Sequence, residues 1–130
     1  MVILDTSIWI EFLKGNPLYF TKIRKLLEIK EILAVECIFG ELLQGVRNKN
    51  EKEVIKKYWT HLPKERHENI IIQAGEYSSE NKLLSKGVGL IDAIIIMHGI
   101  MSNSKIWTLD KKLLRVMPKE YIYQETPNVV

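Results

Sequence analysis

The sequence predicts an α/β fold, a three-layer α/β/α arrangement around a central parallel sheet, and three observations carry that reading. Short apolar runs at residues 1–4, 32–35 and 105–109 alternate with longer stretches of helical periodicity. The runs are continuously apolar, which suits strands buried on both faces. The stretches between them are long enough for right-handed crossovers, so neighbouring strands are expected to lie parallel. At 130 residues the chain is expected to form one domain, 1–130, with length enough to bury a real core.

Met1 to Leu4 supplies the first strand. Thr6 or Ser7 is placed to cap a following helix, on which Ile8, Trp9, Phe12 and Leu13 form an apolar stripe. Gly15 ends that helix, and Asn16-Pro17 starts another whose buried side is Tyr19, Ile23, Leu26 and Leu27. Ile32 to Val35 reads as a second strand. A helix carrying Ile38, Leu42 and Leu43 then runs towards Gly45. The charged segment 48–69 holds a helical stripe of Val54, Ile55, Tyr58 and Trp59, closed by Pro63. Ile70 to Ile72 is a short strand or the start of a helix, the helix itself being placed from Gln73 to Ser85. Gly87 and Gly89 make a turn, Leu90 to Met101 a buried helix, and Lys105 to Leu109 a further strand. Lys111 to Val116 fits a short helix broken by Pro118, and Tyr121 to Tyr123 an edge strand.

Composition excludes several classes. Cys37 is the only cysteine, so an intrachain disulfide is ruled out and a reducing, cytoplasmic setting is expected. Core-like residues begin at position 2, which leaves no room for the charged head of a signal peptide. The apolar stretch from Val88 to Met101 is too short to span a bilayer and contains Asp92, so no membrane association is expected. Net charge is +3; setting four clustered carboxylates aside would leave the remaining surface more basic still, which suits an anionic partner.

All three aspartates, Asp5, Asp92 and Asp110, sit beside or inside the most apolar segments. An ionised carboxylate is costly near a core unless it is paired, hydrogen-bonded or bound to a cation. Asp5 and Asp110 each follow a strand-like run, at the edge where open α/β sheets form their ligand crevice. Asp92 lies near the start of a helix, where the dipole and free N–H groups favour negative charge. Glu41, about one turn into the helix after the second strand, can reach back to the same edge. Four carboxylates converging there repel one another, and oxygen-loving Mg²⁺ or Mn²⁺ relieves that repulsion. Each also has an ordinary alternative. Asp5, Asp92 and Asp110 can serve as helix-terminal residues, and Glu41 as a solvated one. Glu36 points to a different helix face from Glu41 and ranks below it.

Other constellations carry less. His61, His67 and His98 lack metal-ligand spacing with cysteine, which argues against zinc, and His98 reads as a hydrogen-bonded core histidine. Gly87-Val88-Gly89 is too short for a phosphate-cradling fingerprint. The basic stretch from Arg47 to Arg66 reads as a solvated helix face. Cys37 has no catalytic surroundings evident in the sequence. A phosphate-accepting signalling domain would want an acidic pair where only Asp5 stands, and an Asp-x-Asp phosphohydrolase would want a second Asp at Ser7.

With these residues in view, the chain resembles the PIN-domain family, and within it the VapC-type toxins of toxin–antitoxin pairs, from the N-terminus to about residue 123. The opening MVILDTSIWIEFLKG is similar to the family's first strand, Asp-Thr/Ser-Ser turn and aromatic helix. Glu41 in GELLQG, Asp92 in LIDAIII and Asp110 in WTLDKKL match the remaining acidic positions in order. Lys112 stands where many relatives carry a further acidic residue, and Glu36-Cys37 replaces the small residues common before the second motif. The resemblance implies a metal-dependent endoribonuclease using Mg²⁺ or Mn²⁺. Asp5 and Asp92 would hold the principal ion, Asp110 and Glu41 would complete the site, and RNA would be cleaved by metal-activated water. Thr6 would orient that water or cap its helix. The resemblance also implies an RNA substrate (tRNA at the family level), a cognate VapB-like antitoxin and a homodimer. The competing expectation is a PIN scaffold retained as an RNA- or protein-binding module without significant catalysis.

Overall fold

A computed structural model describes residues 1–125. Strand β1 (Val2–Leu4) is buried at every position and runs parallel to β2 (Lys105–Trp107), with Val2 opposite Lys105 and Leu4 opposite Trp107. Single parallel bridges extend this pair on both sides, joining Val2 to Ile32, Ala34 to Lys64, and Ile106 to Ile122. Around the sheet lie α1 (Thr6–Leu13), α2 (Pro17–Glu28), α3 (Glu36–Gln44), α4 (Lys49–His61), α5 (Ile70–Glu80), α6 (Leu90–Met101) and α7 (Lys111–Val116). Two 3₁₀ turns, Leu84–Lys86 and Lys119–Tyr121, complete the chain path. The α/β class and the parallel sheet are as the sequence predicts.

The strands are shorter than expected, for identifiable reasons. Residues 32–35 do not form a regular strand. Leu33 N–H donates to the Val2 carbonyl and Ala34 N–H to the Pro63 carbonyl, and the proline has no N–H with which to continue a ladder. The last expected strand reduces to one bridge at Ile122, because the residues just before it are wound into a 3₁₀ turn. β2 stops at Trp107, since Leu109 and Asp110 spend their N–H groups on side-chain hydroxyls. Helix α5 begins at Ile70, three residues before the expected start, behind Asn69 in a left-handed conformation with φ of 61°. It ends at Glu80, not Ser85.

Burial follows the apolar stripes with two exceptions. Ile8, Trp9 and Phe12 are buried on α1, whereas Leu13 stays exposed; on α4, Ile55 is buried and Val54 is not. The Trp9 ring meets Phe12, Phe39 and Tyr58 at centroid separations of 5.9, 5.2 and 5.4 Å. These aromatics knit α1, α3 and α4 together and so belong to the core. Helix α6 buries Ala93, Ile94, Ile95, Ile96 and Gly99, and it packs against both α5 and β2. Among the described residues no helix is long and apolar enough to cross a membrane.

Candidate functional site

Parallel strands that end together deliver their following residues to one edge. Asp5 follows β1, and its backbone N–H donates to the carbonyl of Trp107, the last residue of β2. This places Asp5 beside the segment 108–110. Asp5 is buried, at 7% exposure, and is the N-cap of α1: its Oδ1 accepts from Ile8 N–H at 3.3 Å and from the Ser7 hydroxyl. Its Oδ2 accepts from the Thr108 hydroxyl, which is also buried. The cap is therefore Asp5 itself, the ordinary alternative that the sequence offered beside Thr6 or Ser7.

Asp110 is the N-cap of α7, its Oδ1 accepting from Lys112 N–H at 2.9 Å and from Leu113 N–H at 3.4 Å. Asp92 sits in the first turn of α6, half-buried. Glu41 is exposed on α3, and its Oε1 accepts from the Thr6 hydroxyl at 3.0 Å. The ordinary capping alternatives for Asp5 and Asp110 are thus real, and they coexist with a shared location. Glu36, the first residue of α3, is exposed and makes no bond to these groups.

The shared location is visible in the charge of Asp92. Burial raises its pKa above the ordinary carboxylate value, and the charges of Asp110, Glu41 and Asp5 raise it further, against one favourable backbone bond near Gly89. Four segments distant in sequence contribute to one negative field. The same field reaches Cys37: burial first, then Glu41 and Asp92, push its thiol up to about 11. A thiol held there is protonated at neutral pH and is no nucleophile.

Among the described residues, no Lys or Arg stands within ion-pair distance of Asp5, Glu41, Asp92 or Asp110. Nor are any three His, Cys, Asp or Glu side chains drawn close enough to grip a metal ion directly. The donor set is all carboxylate oxygen, open to solvent at Glu41 and Asp110, and too widely spaced for a closed cage. That combination fits a hard divalent cation that binds through one or two carboxylates and keeps several waters, the usual habit of Mg²⁺. It does not fit zinc, which wants four close nitrogen or sulfur ligands.

Beside the acidic edge runs a groove between α1, α3 and α4. It contains Thr6 and Glu41 at one end, apolar Ile10, Leu13 and Val54 along its wall, and Arg47 among its polar residues. The Lys112 side chain lies across the turn at Gly87, where an added Cβ would meet its carbons at 3.5–3.7 Å. Sequence reasoning named all four acidic residues as candidates and assigned no site role to Ser7 or Thr108. The only signal was the hydroxyl residues flanking Asp5 and Asp110, in Asp-Thr-Ser and Thr-Leu-Asp.

The histidines behave differently from the expectation. His98 is not a fully hydrogen-bonded core residue: its Nδ1 is buried and has no partner among the described residues. Its ring meets that of His67 edge-on at 5.6 Å, and His67 Nε2 in turn lies 2.9 Å from the Ser102 hydroxyl and 3.3 Å from Glu65.

Comparison with known proteins gives one result. The PIN domain family model matches residues 2–118, which contain all four acidic residues. No curated protein matches the chain.

Proposed function

The chain belongs to the PIN domain family, and from that premise we propose that it is a metal-dependent endoribonuclease, the toxin of a VapBC-type toxin–antitoxin pair. PIN domains are generally nucleases that use divalent metals. The observation that carries the reading for this chain is the field at Asp92, to which the carboxylates of Asp5, Glu41 and Asp110 all contribute. In this reading Asp5 and Asp92 hold the principal Mg²⁺ or Mn²⁺, and Asp110 and Glu41 complete the site directly or through water. When bound, the ion supplies an activated water for in-line attack and offsets the charge that grows on the phosphate.

The chain's own groups account for the rest. The N-terminal turn of α6 keeps Asp92 at the favourable end of a helix dipole, which opposes the repulsion from its neighbours. Thr6 holds Glu41, and Ser7 and Thr108 hold Asp5. The protonated thiol of Cys37 does not compete with water as the attacking group. Arg47 in the adjoining groove, held by Glu51 at 3.0 Å, and Lys112, two residues after Asp110, are the cations proposed to meet RNA phosphates flanking the scissile one. A cognate antitoxin would cover the acidic edge, and homodimer formation is proposed on family grounds alone.

The test is cleavage of structured RNA by purified protein with Mg²⁺ or Mn²⁺, with chelator, and with Asp5→Asn and Asp92→Asn. Cleavage is expected to vanish in chelator and to slow in either variant, its activation free energy raised by about 3–5 kcal/mol. Undiminished cleavage by folded Asp5→Asn protein would exclude the mechanism. One finding favours a second reading, a PIN scaffold that binds RNA or protein without significant catalysis: no three ligating side chains stand in direct gripping range among the described residues. RNA binding without metal-dependent cleavage would decide for it.

A further inference from the structure

Two hydroxyls link Asp5 to the segment that bears Asp110, and their donor directions are fixed. Leu109 N–H donates to Ser7 Oγ at 3.2 Å, and Asp110 N–H donates to Thr108 Oγ1 at 3.0 Å. A backbone N–H only donates, so each hydroxyl accepts there and is left with its own proton to give. Both protons go to the same carboxylate, Ser7 to Asp5 Oδ1 and Thr108 to Asp5 Oδ2. Two parallel relays, amide to hydroxyl to carboxylate, therefore span from residues 109 and 110 to Asp5. One hydroxyl comes from the residue two places after Asp5 and the other from the residue two places before Asp110.

We propose that Ser7 and Thr108 act as positioning residues, a two-point clamp that sets the orientation of Asp5 and its separation from Asp110 and so tunes the acidic site for a divalent ion. The proposal rests on the assignment of that site under Proposed function. Each relay consumes a lone pair of Asp5, one on each oxygen, and with Ile8 N–H on Oδ1 they fix the carboxylate plane against rotation about its χ angles. Thr108 is the more demanding member. It is buried, so its loss would leave both Asp5 Oδ2 and the Asp110 N–H without their present partner, away from ready solvation. Ser7 is half-buried and water can replace it in part. Outer hydrogen-bonding partners of this type are worth about 10- to 100-fold in metal affinity or activity.

The experiment measures Mn²⁺ binding by the loss of the free-ion electron paramagnetic resonance signal, beside amide hydrogen exchange at Leu109 and Asp110. It uses the full chain as wild type, Thr108→Val, Thr108→Ser, Ser7→Ala and Asp5→Asn. The clamp is supported if Thr108→Val weakens Mn²⁺ binding about 10-fold or more, Thr108→Ser restores it to within about threefold, and Ser7→Ala falls between. Amide protection at Asp110 should drop in Thr108→Val and at Leu109 in Ser7→Ala, each without global unfolding. Should Thr108→Val fail to fold, Ser7→Ala and Thr108→Ser still decide, since the former must weaken binding and the latter must not. Wild-type Mn²⁺ affinity in folded Thr108→Val and Ser7→Ala, with Asp5→Asn impaired, overturns the clamp and spares the site. Wild-type affinity in Asp5→Asn as well overturns the site assignment itself.

Discussion

Asp92 is where opposing residue-level effects can be weighed. Its place in the first turn of α6 is favourable by about 0.3–1 kcal/mol, yet its pKa is raised, so burial and three neighbouring carboxylates outweigh the dipole. A group whose folded pKa is raised costs stability at neutral pH that is regained only when the carboxylate is protonated. Asp92→Asn is therefore expected to melt at a higher temperature than wild type in chelator at pH 7, while losing cleavage. The difference should shrink as the pH falls into the carboxylate range, and a lower melting temperature for the variant at pH 7 would contradict the crowding. Cys37 carries a second expectation. With its thiol near 11, it should react with a thiol reagent in the native protein far more slowly than after denaturation, followed by absorbance. The candidate carboxylates were legible in the sequence because Asp5, Asp92 and Asp110 stand at predictable element ends and Glu41 lies one to two turns into a predicted helix. The hydroxyl relays were not, because Thr108 meets Asp5 only when two strands distant in sequence come to lie side by side.

At the scale of elements, α6 shows how tightly the site is backed. An added Cβ at Gly99 would lie 2.7 and 3.0 Å from Ile106 side-chain atoms and 3.2 Å from the Ser104 carbonyl oxygen. Ile106 is fully buried on β2 and cannot swing clear. Alanine gains about 1 kcal/mol in helix propensity, and overpacking costs about 1–3 kcal/mol, so Gly99→Ala should destabilise on balance, measured as a lower urea midpoint at unchanged m-value. The far end of the same helix holds the pH-sensitive group. Burial, then the His67 ring, keep the His98 imidazole below its ordinary 6.5, with Glu65 opposing. The unfolded chain then takes up a proton first as the pH drops, so stability is full above about 6.5 and is lost as pH falls through the lower folded value. His98→Gln should lose less stability than wild type between pH 7.5 and 5.5; equal losses would assign the dependence to other groups. The bounds of α6 and α7 were legible from apolar periodicity and flanking turns. The strand lengths were not, because a proline without an N–H, a 3₁₀ turn and two hydroxyl acceptors ended the ladders, and only the proline is recognisable before folding.

For the whole molecule, charge and stability meet at the acidic edge. The chain is basic overall, at +3, while the charges of Asp5, Glu41 and Asp110 all act on Asp92, and among the described residues none of the four has a cationic side chain in ion-pair contact. Surplus positive charge elsewhere draws a polyanion, and the crevice itself repels its phosphates unless a divalent cation intervenes. A ligand that binds only the folded state stabilises it by about 2.7 kcal/mol at a concentration 100 times its dissociation constant, worth on the order of 10 °C for a chain of this size. Saturating Mn²⁺ should therefore raise the wild-type melting temperature by roughly that amount. Asp5→Asn, which lacks a ligand in the proposed site, should shift little. Asp92→Asn should show a crossing: more stable than wild type in chelator, where repulsion is relieved, and less stable than wild type in saturating Mn²⁺, where the missing charge no longer helps to bind the ion. Thermal melts of the three proteins with and without Mn²⁺ test this directly. Equal shifts in all three would mean that the ion binds elsewhere on the surface. The crossing separates a carboxylate crowded by its neighbours and relieved by a cation from one that merely complements the helix dipole, since loss of such a charge would cost stability under both conditions.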